Sequence, residues 1–247
     1  HRTAADVASA ETQTPDTPVP GGTRVSALAP GVGLEWVFVP AGAVRLGSET
    51  GHPSERPVHE VAIPRGFWMS RCEITNEQYA AFVAQTGHRV PSPTESDEAA
   101  DWEGSAVRPG HELMPVCEVD WADADAYARW AGKALPTEAE WEKAAHGANP
   151  RAYPWGDASP SCDLVNGSWC VGDTTAVGSY PLGAGPYGAL DMAGNVWEWV
   201  YDWYSSTYYS SLPYFINPTG PETGTTKVFR GGGFVNYSSL DNLRTVY

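Results

Sequence analysis

The sequence predicts a loop-rich α+β domain with little regular secondary structure, and three observations predict it. Glycine (26) and proline (21) punctuate the 247 residues, while charged residues make up only 18%. Both residue types set turns and interrupt regular elements. Short runs of alternating apolar and polar residues, the mark of half-buried strands, crowd the first third of the folded part. Three helix-sized segments follow, each with its own start and stop signals. A hydrophobic fraction of 42%, with 11 tryptophans and 12 tyrosines, is enough for one sizeable core held by aromatic rings.

Residues 1–33 read as a Pro-, Ala- and Thr-rich tail or linker. Pro15, Pro18, Pro20, Gly21 and Gly22 break any element there. The alternative is an arm packed on the domain or on a neighbour. The domain proper is read as residues 34–247. Residues 34–40 form a strand, Gly42 turns the chain, and residues 44–47 form a second strand. Residues 58–63 alternate as a half-buried strand, and residues 67–74 make another.

Thr75-Asn76-Glu77-Gln78 is a capping box that opens the first helix. Tyr79, Phe82 and Val83 give that helix one apolar face, and Gly87 ends it. Residues 88–111, with Pro91, Pro93, Pro109 and Gly110, read as a long surface loop. The second helix spans about residues 121–130. Asp120, Asp123 and Asp125 at its start and Arg129 at its end complement its dipole, and Gly132 closes it. Thr137-Glu138-Ala139-Glu140 is a second capping box, and Trp141, Ala144 and Ala145 face the core before Gly147 stops the third helix. From Tyr153 onward, turns, short strands and aromatic clusters dominate.

The formal charge is −15, from 30 acidic and 15 basic residues. Phosphate backbones and anionic membrane surfaces would be repelled, so nucleic-acid binding is not expected. The acidic excess suits solubility, and also a hard cation. No run approaches the roughly 20 apolar residues of a transmembrane segment. The four cysteines are Cys72, Cys117, Cys162 and Cys170. Cys162 and Cys170 bracket a short loop and suit a local disulfide; Cys72 and Cys117 would then make a longer staple. Four buried free thiols are the other reading. Neither pair has zinc-ligand spacing, and the six histidines are scattered. Disulfides imply an oxidising compartment, so a secreted or periplasmic/cell-envelope location is expected. The start at His1, without methionine, fits a mature product after signal removal or a trimmed chain.

Several phrases together carry a family resemblance. They are Trp36 to Gly42 with Leu46-Gly47-Ser48, Glu73 to Tyr79, Lys133 to Glu142, Tyr153-Pro154-Trp155-Gly156, Tyr187 to Trp199, and Arg230 to Phe234. Ordered over residues 34–247, they resemble the formylglycine-generating-enzyme (sulfatase-modifying-factor) family, a variant of the C-type-lectin-like fold. The resemblance implies a calcium site with side chains from Asp191 and Glu198 and backbone oxygens from Gly194 and Val196. A weaker second site would draw on Asn166 and Asp173. Calcium takes six to eight oxygens from carboxylates and carbonyls, so the residue types agree. The alternative is a turn in which Asp191 and Glu198 cap local N–H groups without metal.

One departure matters. Catalytic members carry a serine after Arg-Gly-Gly, then two cysteines five apart that hold Cu(I) and activate oxygen to convert a substrate cysteine to formylglycine. Here the serine position is Gly233, the cysteine positions are Asn236 and Asp241, and the histidine after the first cysteine is Tyr237. Cu(I) is soft and needs thiolates, so no copper and no copper-dependent formylglycine formation are expected. The family's closing Gly-Phe-Arg strand is also missing after Tyr247: not included, cleaved, or supplied by a partner.

Two functions compete. The first is a non-catalytic envelope or extracellular binding or scaffold protein with a protein, peptide or glycan partner, with assembly through the N-terminal tail. The Tyr- and Ser-rich run at 203–209 suits adaptable recognition. Its cleft would be lined by Trp197, Arg230, Asn236, Tyr237, Ser238 and Asp241. The second is a divergent oxidase or tailoring enzyme of the same family, with Asp241 as acid or base. Relatives of that kind, by resemblance, include domains tied to non-haem-iron sulfoxide synthases and to siderophore-chromophore oxidation.

Overall fold

The computed structural model describes residues 18–49, 51–91, 101–167, 169–210, 214–235 and 240–246. Strands β1 (Thr23–Ala29) and β2 (Val32–Val39) form an antiparallel hairpin, and β5 (Phe67–Ser70) pairs on the other side of β2. Strand β3 (Gly42–Leu46) pairs antiparallel with β4 (His59–Ile63), to which β9 (Tyr214–Ile216) adds in parallel. Strands β8 (Glu198–Trp203) and β10 (Lys227–Arg230) make a third, two-stranded antiparallel sheet. The architecture is the α+β, loop-rich single domain that the sequence predicts, with all sheets small.

Two stretches hold more structure than their composition suggests. β1 falls within the region read as a tail. Gly21 N–H donates to Phe38 O at 2.9 Å, and the Arg24 guanidinium stands 4.1 Å over the Trp68 ring. An edge strand needs only backbone pairing on one side, so its weak apolar pattern hid it. The predicted loop at 88–111 contains a minimal hairpin of β6 (Trp102–Glu103) and β7 (Ala106–Val107). Its anchor is Trp102, buried, whose indole N–H donates to Asn76 Oδ1 at 2.9 Å.

The helices fall where their caps place them. α1 (Asn76–Thr86) starts at the Thr75 capping box and ends at Gly87, which takes the left-handed conformation at φ 71°. α2 (Trp121–Trp130) also starts with a capping box, between Asp120 and Asp123. The pairing adds a reciprocal cap to the dipole role that their charge predicts. α3 (Glu138–His146) follows the Thr137 capping box. It is not a surface helix with one apolar stripe. Trp141, Ala144 and Ala145 are joined in the interior by Glu142, Lys143 and His146. The Lys143 ammonium survives there by donating to Gly42 O at 3.0 Å, and burial lowers its pKa. α3 thus runs through the middle of the domain, between the β3–β4–β9 sheet and the β8–β10 ribbon.

Candidate functional site

The segment between residues 191 and 198 carries the sharpest local geometry. Asp191, Gly194 and Asn195 all have positive φ, at 57°, 76° and 57°. At Gly194 only glycine fits, because an added methyl would strike the Val165 side chain and the Asn166 carbonyl. This tight path brings Asn195 into the interior, where it is 1% exposed. Its side chain is a hub. Oδ1 accepts from Asn166 Nδ2 at 3.1 Å and from Thr175 N–H at 2.9 Å. Nδ2 donates to Glu73 Oε2 at 2.6 Å and to Thr175 O at 3.2 Å. Its backbone receives Phe234 N–H at 2.8 Å, tying in the segment after β10.

Three buried or half-buried carboxylates surround this turn. Glu73 accepts Val196 N–H on its other oxygen at 3.0 Å. Asp191 accepts Gly178 N–H at 2.6 Å, and Glu198 accepts the Trp141 indole N–H at 3.0 Å. Burial drives Glu73 well above the usual carboxylate range, and Asp191 and Glu198 push it the same way. Burial lifts Glu198 to about 8, opposed by the Trp141 N–H and helped by Asp191. Burial also raises Asp191, against the Gly178 N–H. None of the three has an ion-pair partner among the described residues. A cation bound there would favour the ionised forms that burial opposes.

Among the described residues, no three His, Cys, Asp or Glu side chains converge into a metal group by themselves. A hard cation at Asp191 and Glu198 would therefore take further oxygens from main-chain carbonyls, as the positions of Gly194 and Val196 imply. At the weaker pair, Asn166 Nδ2 donates to Asp173 O at 2.8 Å. Asn166 is 1% exposed, and its Oδ1 is buried with no hydrogen-bond partner. That orphan oxygen is a ready acceptor for a cation or a water.

The cleft residues separate. Trp197 is half-buried. A methyl on Gly233 would lie 3.2 Å from Trp197 Cδ1, so the missing serine side chain leaves the indole packed close to the backbone. Arg230 does not line a cleft. It is 5% exposed and donates to Glu142 Oε2 at 3.0 Å, Glu138 Oε1 at 3.3 Å and Thr245 O at 2.6 Å. Alternation along β10 turns Val228 and Arg230 inward and Phe229 outward. Arg230 is a buried structural ion pair. Asp241 is exposed on a 3-10 turn, Leu240–Leu243, beside the stacked Tyr153 and Trp155 rings. There, after burial and against Arg244, it helps raise the Tyr153 hydroxyl. Asn236, Tyr237 and Ser238 lie outside the described residues.

The cysteines divide in the same way. Cys162 and Cys170 form the local disulfide, with Cα atoms 5.5 Å apart. Cys72 and Cys117 do not form the expected staple; both are free thiols. Their sulfurs have different neighbours: Cys117 Sγ donates to Pro115 O at 3.6 Å, whereas Cys72 Sγ lies against Gly178. Burial raises the Cys72 thiol to about 12 and raises Cys117 as well, each with nearby carboxylates adding to it.

Sequence reasoning missed Glu73 and Asn195 as site residues, although both sit inside the family phrases. The signal was a glutamate next to a helix cap with no local partner; its partner is 122 residues away.

The sulfatase-modifying factor enzyme 1-like domain matches residues 29–245. A formylglycine-generating enzyme of Thermomonospora curvata is 37% identical, covering 83% of this chain and 84% of its own length. A hercynine oxygenase of Mycolicibacterium smegmatis is 33% identical over 86% of this chain and 57% of its own length. The structure of PvdO from Pseudomonas aeruginosa superposes with a TM-score of 0.73 at 24% identity, covering 93% of this chain and 91% of that one.

Proposed function

Because the chain belongs to the sulfatase-modifying factor enzyme 1-like family, we propose that it is a non-catalytic binding or scaffold protein of the cell envelope or exterior, stabilised by structural calcium. One feature of the sequence carries this reading: where the resemblance places the two copper-holding cysteines of catalytic members, no cysteine stands. The corresponding positions are Asn236 and Asp241. The chain's only four cysteines lie elsewhere, two in a disulfide and two as half-buried thiols whose raised pKa keeps them protonated. A soft cuprous ion has no ligand set here.

Calcium is supported by the unpaired carboxylates of Asp191 and Glu198 and by the orphan Oδ1 of Asn166. Bound there, it would neutralise the cluster and cross-link a region poor in backbone ladders. The Cys162–Cys170 disulfide supports an oxidising compartment. Tyr201 and Phe229, each nearly half exposed on the outer face of the β8–β10 ribbon, offer aromatic surface to a protein, peptide or glycan partner.

The test is elemental mass spectrometry of natively purified protein before and after chelation, with melting followed in parallel. One or two calcium ions per chain, no copper or iron, and a lower melting temperature after chelation support the proposal. Stoichiometric copper or iron, or turnover of a cysteine peptide, overturns it. The second reading, a divergent oxidase or tailoring enzyme, is favoured by the hercynine oxygenase relative, which shows that the family carries other chemistry.

A further inference from the structure

The Cys162–Cys170 disulfide closes a short loop whose two ends differ in exposure: Cys162 is exposed and Cys170 half-buried. A thiol in solution can reach the first sulfur without unfolding the chain, and exposed disulfides are the labile ones. Inside the loop the exposure reverses. Val165 and Asn166 are each 1% exposed, and Val165 packs with Ala193 and Leu243 in a small apolar cluster. Leu164 N–H and Val165 N–H both donate to Ser161 O, at 2.9 and 3.1 Å, and Cys170 N–H donates to Gly167 O at 2.9 Å. These turns and the disulfide together fix the position of Asn166.

Asn166 joins this loop to the Asn195 hub. Its carbonyl accepts Asn195 N–H at 2.9 Å, and its Nδ2 donates to Asn195 Oδ1 at 3.1 Å and to Asp173 O at 2.8 Å. From Asn195 the bonds run on to Thr175, to Glu73, which holds Val196 N–H, and to Phe234 N–H after β10. One exposed covalent bond is therefore linked, through a continuous chain of hydrogen bonds, to segments far from it in sequence.

We propose that Cys162–Cys170 is a thiol–disulfide exchange site, and that its state sets the order of the Asn195 hub and of the chain that leaves β10 at Phe234. Cys72 and Cys117 do not compete: burial holds both thiols protonated, so neither offers the thiolate that exchange needs. The electrons come from an outside dithiol. Its thiolate attacks Cys162 Sγ; the S–S bond breaks, and Cys170 leaves as a thiolate that takes up a proton. The second sulfur of the dithiol gives up its proton and displaces Cys162, which is protonated in turn, and the reductant departs as a disulfide. The opened loop regains chain entropy, and Asn166 loses the covalent hold on its position. This goes beyond the binding-module reading and does not depend on it, because the switch acts through the chain's own bonds.

The test reduces the full, folded chain with dithiothreitol at neutral pH and follows its backbone amide resonances. The reduction rate should rise in proportion to the dithiol concentration, as attack on the folded chain requires. The amides of Thr175, Val196 and Phe234 should shift or broaden, those of the β3–β4 ladder should stay, and reoxidation with oxidised glutathione should restore the first spectrum. In Asn166→Ala the same three amides should no longer respond to reduction. Four outcomes overturn the proposal: a rate that levels off at the unfolding rate, a response confined to residues 162–170, loss of the β3–β4 resonances as well, or a native-like response in Asn166→Ala. If Asn166→Ala does not fold, the double variant Cys162→Ser with Cys170→Ser decides. It must place the three amides where reduction places them, and native positions there overturn the proposal.

Discussion

The chain before Gly147 and the chain after it solve the same problem by different means. Before Gly147, three helices each begin with a reciprocal capping box, at Thr75, Asp120 and Thr137, and the β1–β2–β5 sheet and the β3–β4 pair take up most of the strands. After Gly147, the described residues contain no α-helix, and only β8, β9 and β10 as strands. Buried backbone groups must still be paired. In the second region side chains pair them: Asn195 takes Thr175 N–H and Thr175 O, Asp191 takes Gly178 N–H, and Arg230 takes Thr245 O. A ladder shares its load over many bonds, whereas a hub concentrates it in one residue. Single substitutions in the second region should therefore cost more than cap removals in the first.

The largest effect is expected at Asn195. Asn195→Ala removes five side-chain hydrogen bonds and leaves the buried Glu73 carboxylate with one partner fewer. The loss should be about 3 to 5 kcal/mol, read from the urea midpoint at constant slope. A loss under about 1 kcal/mol would break the contrast between the regions, because it would reduce the hub to an ordinary surface contact.

Next is a pH effect at Asp202, which is 1% exposed. Its Oδ2 accepts Glu138 N–H at 2.8 Å, and its Oδ1 is buried without a partner. Burial pushes its carboxyl up to about 7, against the pull of that N–H. The folded state therefore keeps its proton across a window, about pH 4 to 7, in which the unfolded chain releases it. Stability falls as pH rises through that window. Asp202→Asn cannot titrate, so its stability loss between pH 4 and 8 should be smaller than that of the native chain by about 2 to 4 kcal/mol. Parallel pH curves for the two proteins would place the Asp202 titration in its ordinary range.

These two residues show where sequence reading stops. The caps at Thr75 and Thr137 were legible because both halves of a capping box lie within four residues. The box at Asp120 and Asp123 was half legible: the acids point to a helix start, but aspartate in both roles departs from the Ser/Thr-x-x-Glu/Gln pattern of a capping box. The Cys162–Cys170 bond was legible from an eight-residue spacing that a turn can close. Cys72 and Cys117 were not, because an even count says nothing of which face a side chain takes. Arg230 sits inside a recognisable phrase, and the phrase located the strand without telling inward from outward. Glu73 and Asn195 meet across 122 residues, a distance no local period spans.

The disulfide sharpens the comparison, since it lies in the ladder-poor region. Replacing Cys162 and Cys170 with serine opens a loop of sequence separation 8. Chain-entropy reasoning gives a loss of about 2 to 3 kcal/mol. The check is the melting temperature of the double variant beside a thiol titration. The native chain should yield no rapidly reacting thiol and, once unfolded without reductant, two, because Cys72 and Cys117 are half-buried and held protonated. Four thiols from the unfolded native chain would remove the disulfide from the account.

The smallest effect belongs to the caps. Thr137→Ala deletes the hydroxyl that accepts Glu140 N–H at 3.2 Å. The start of α3 keeps a second acceptor, because Asp202 still holds Glu138 N–H. The loss should be about 1 kcal/mol, largely restored by Thr137→Ser, which returns the oxygen without the methyl. Urea midpoints of the three proteins at one pH measure it. A loss at Thr137 as large as that at Asn195 would mean that α3, buried on nearly every side, behaves as a hub too. The line between the regions would then follow burial rather than regular structure.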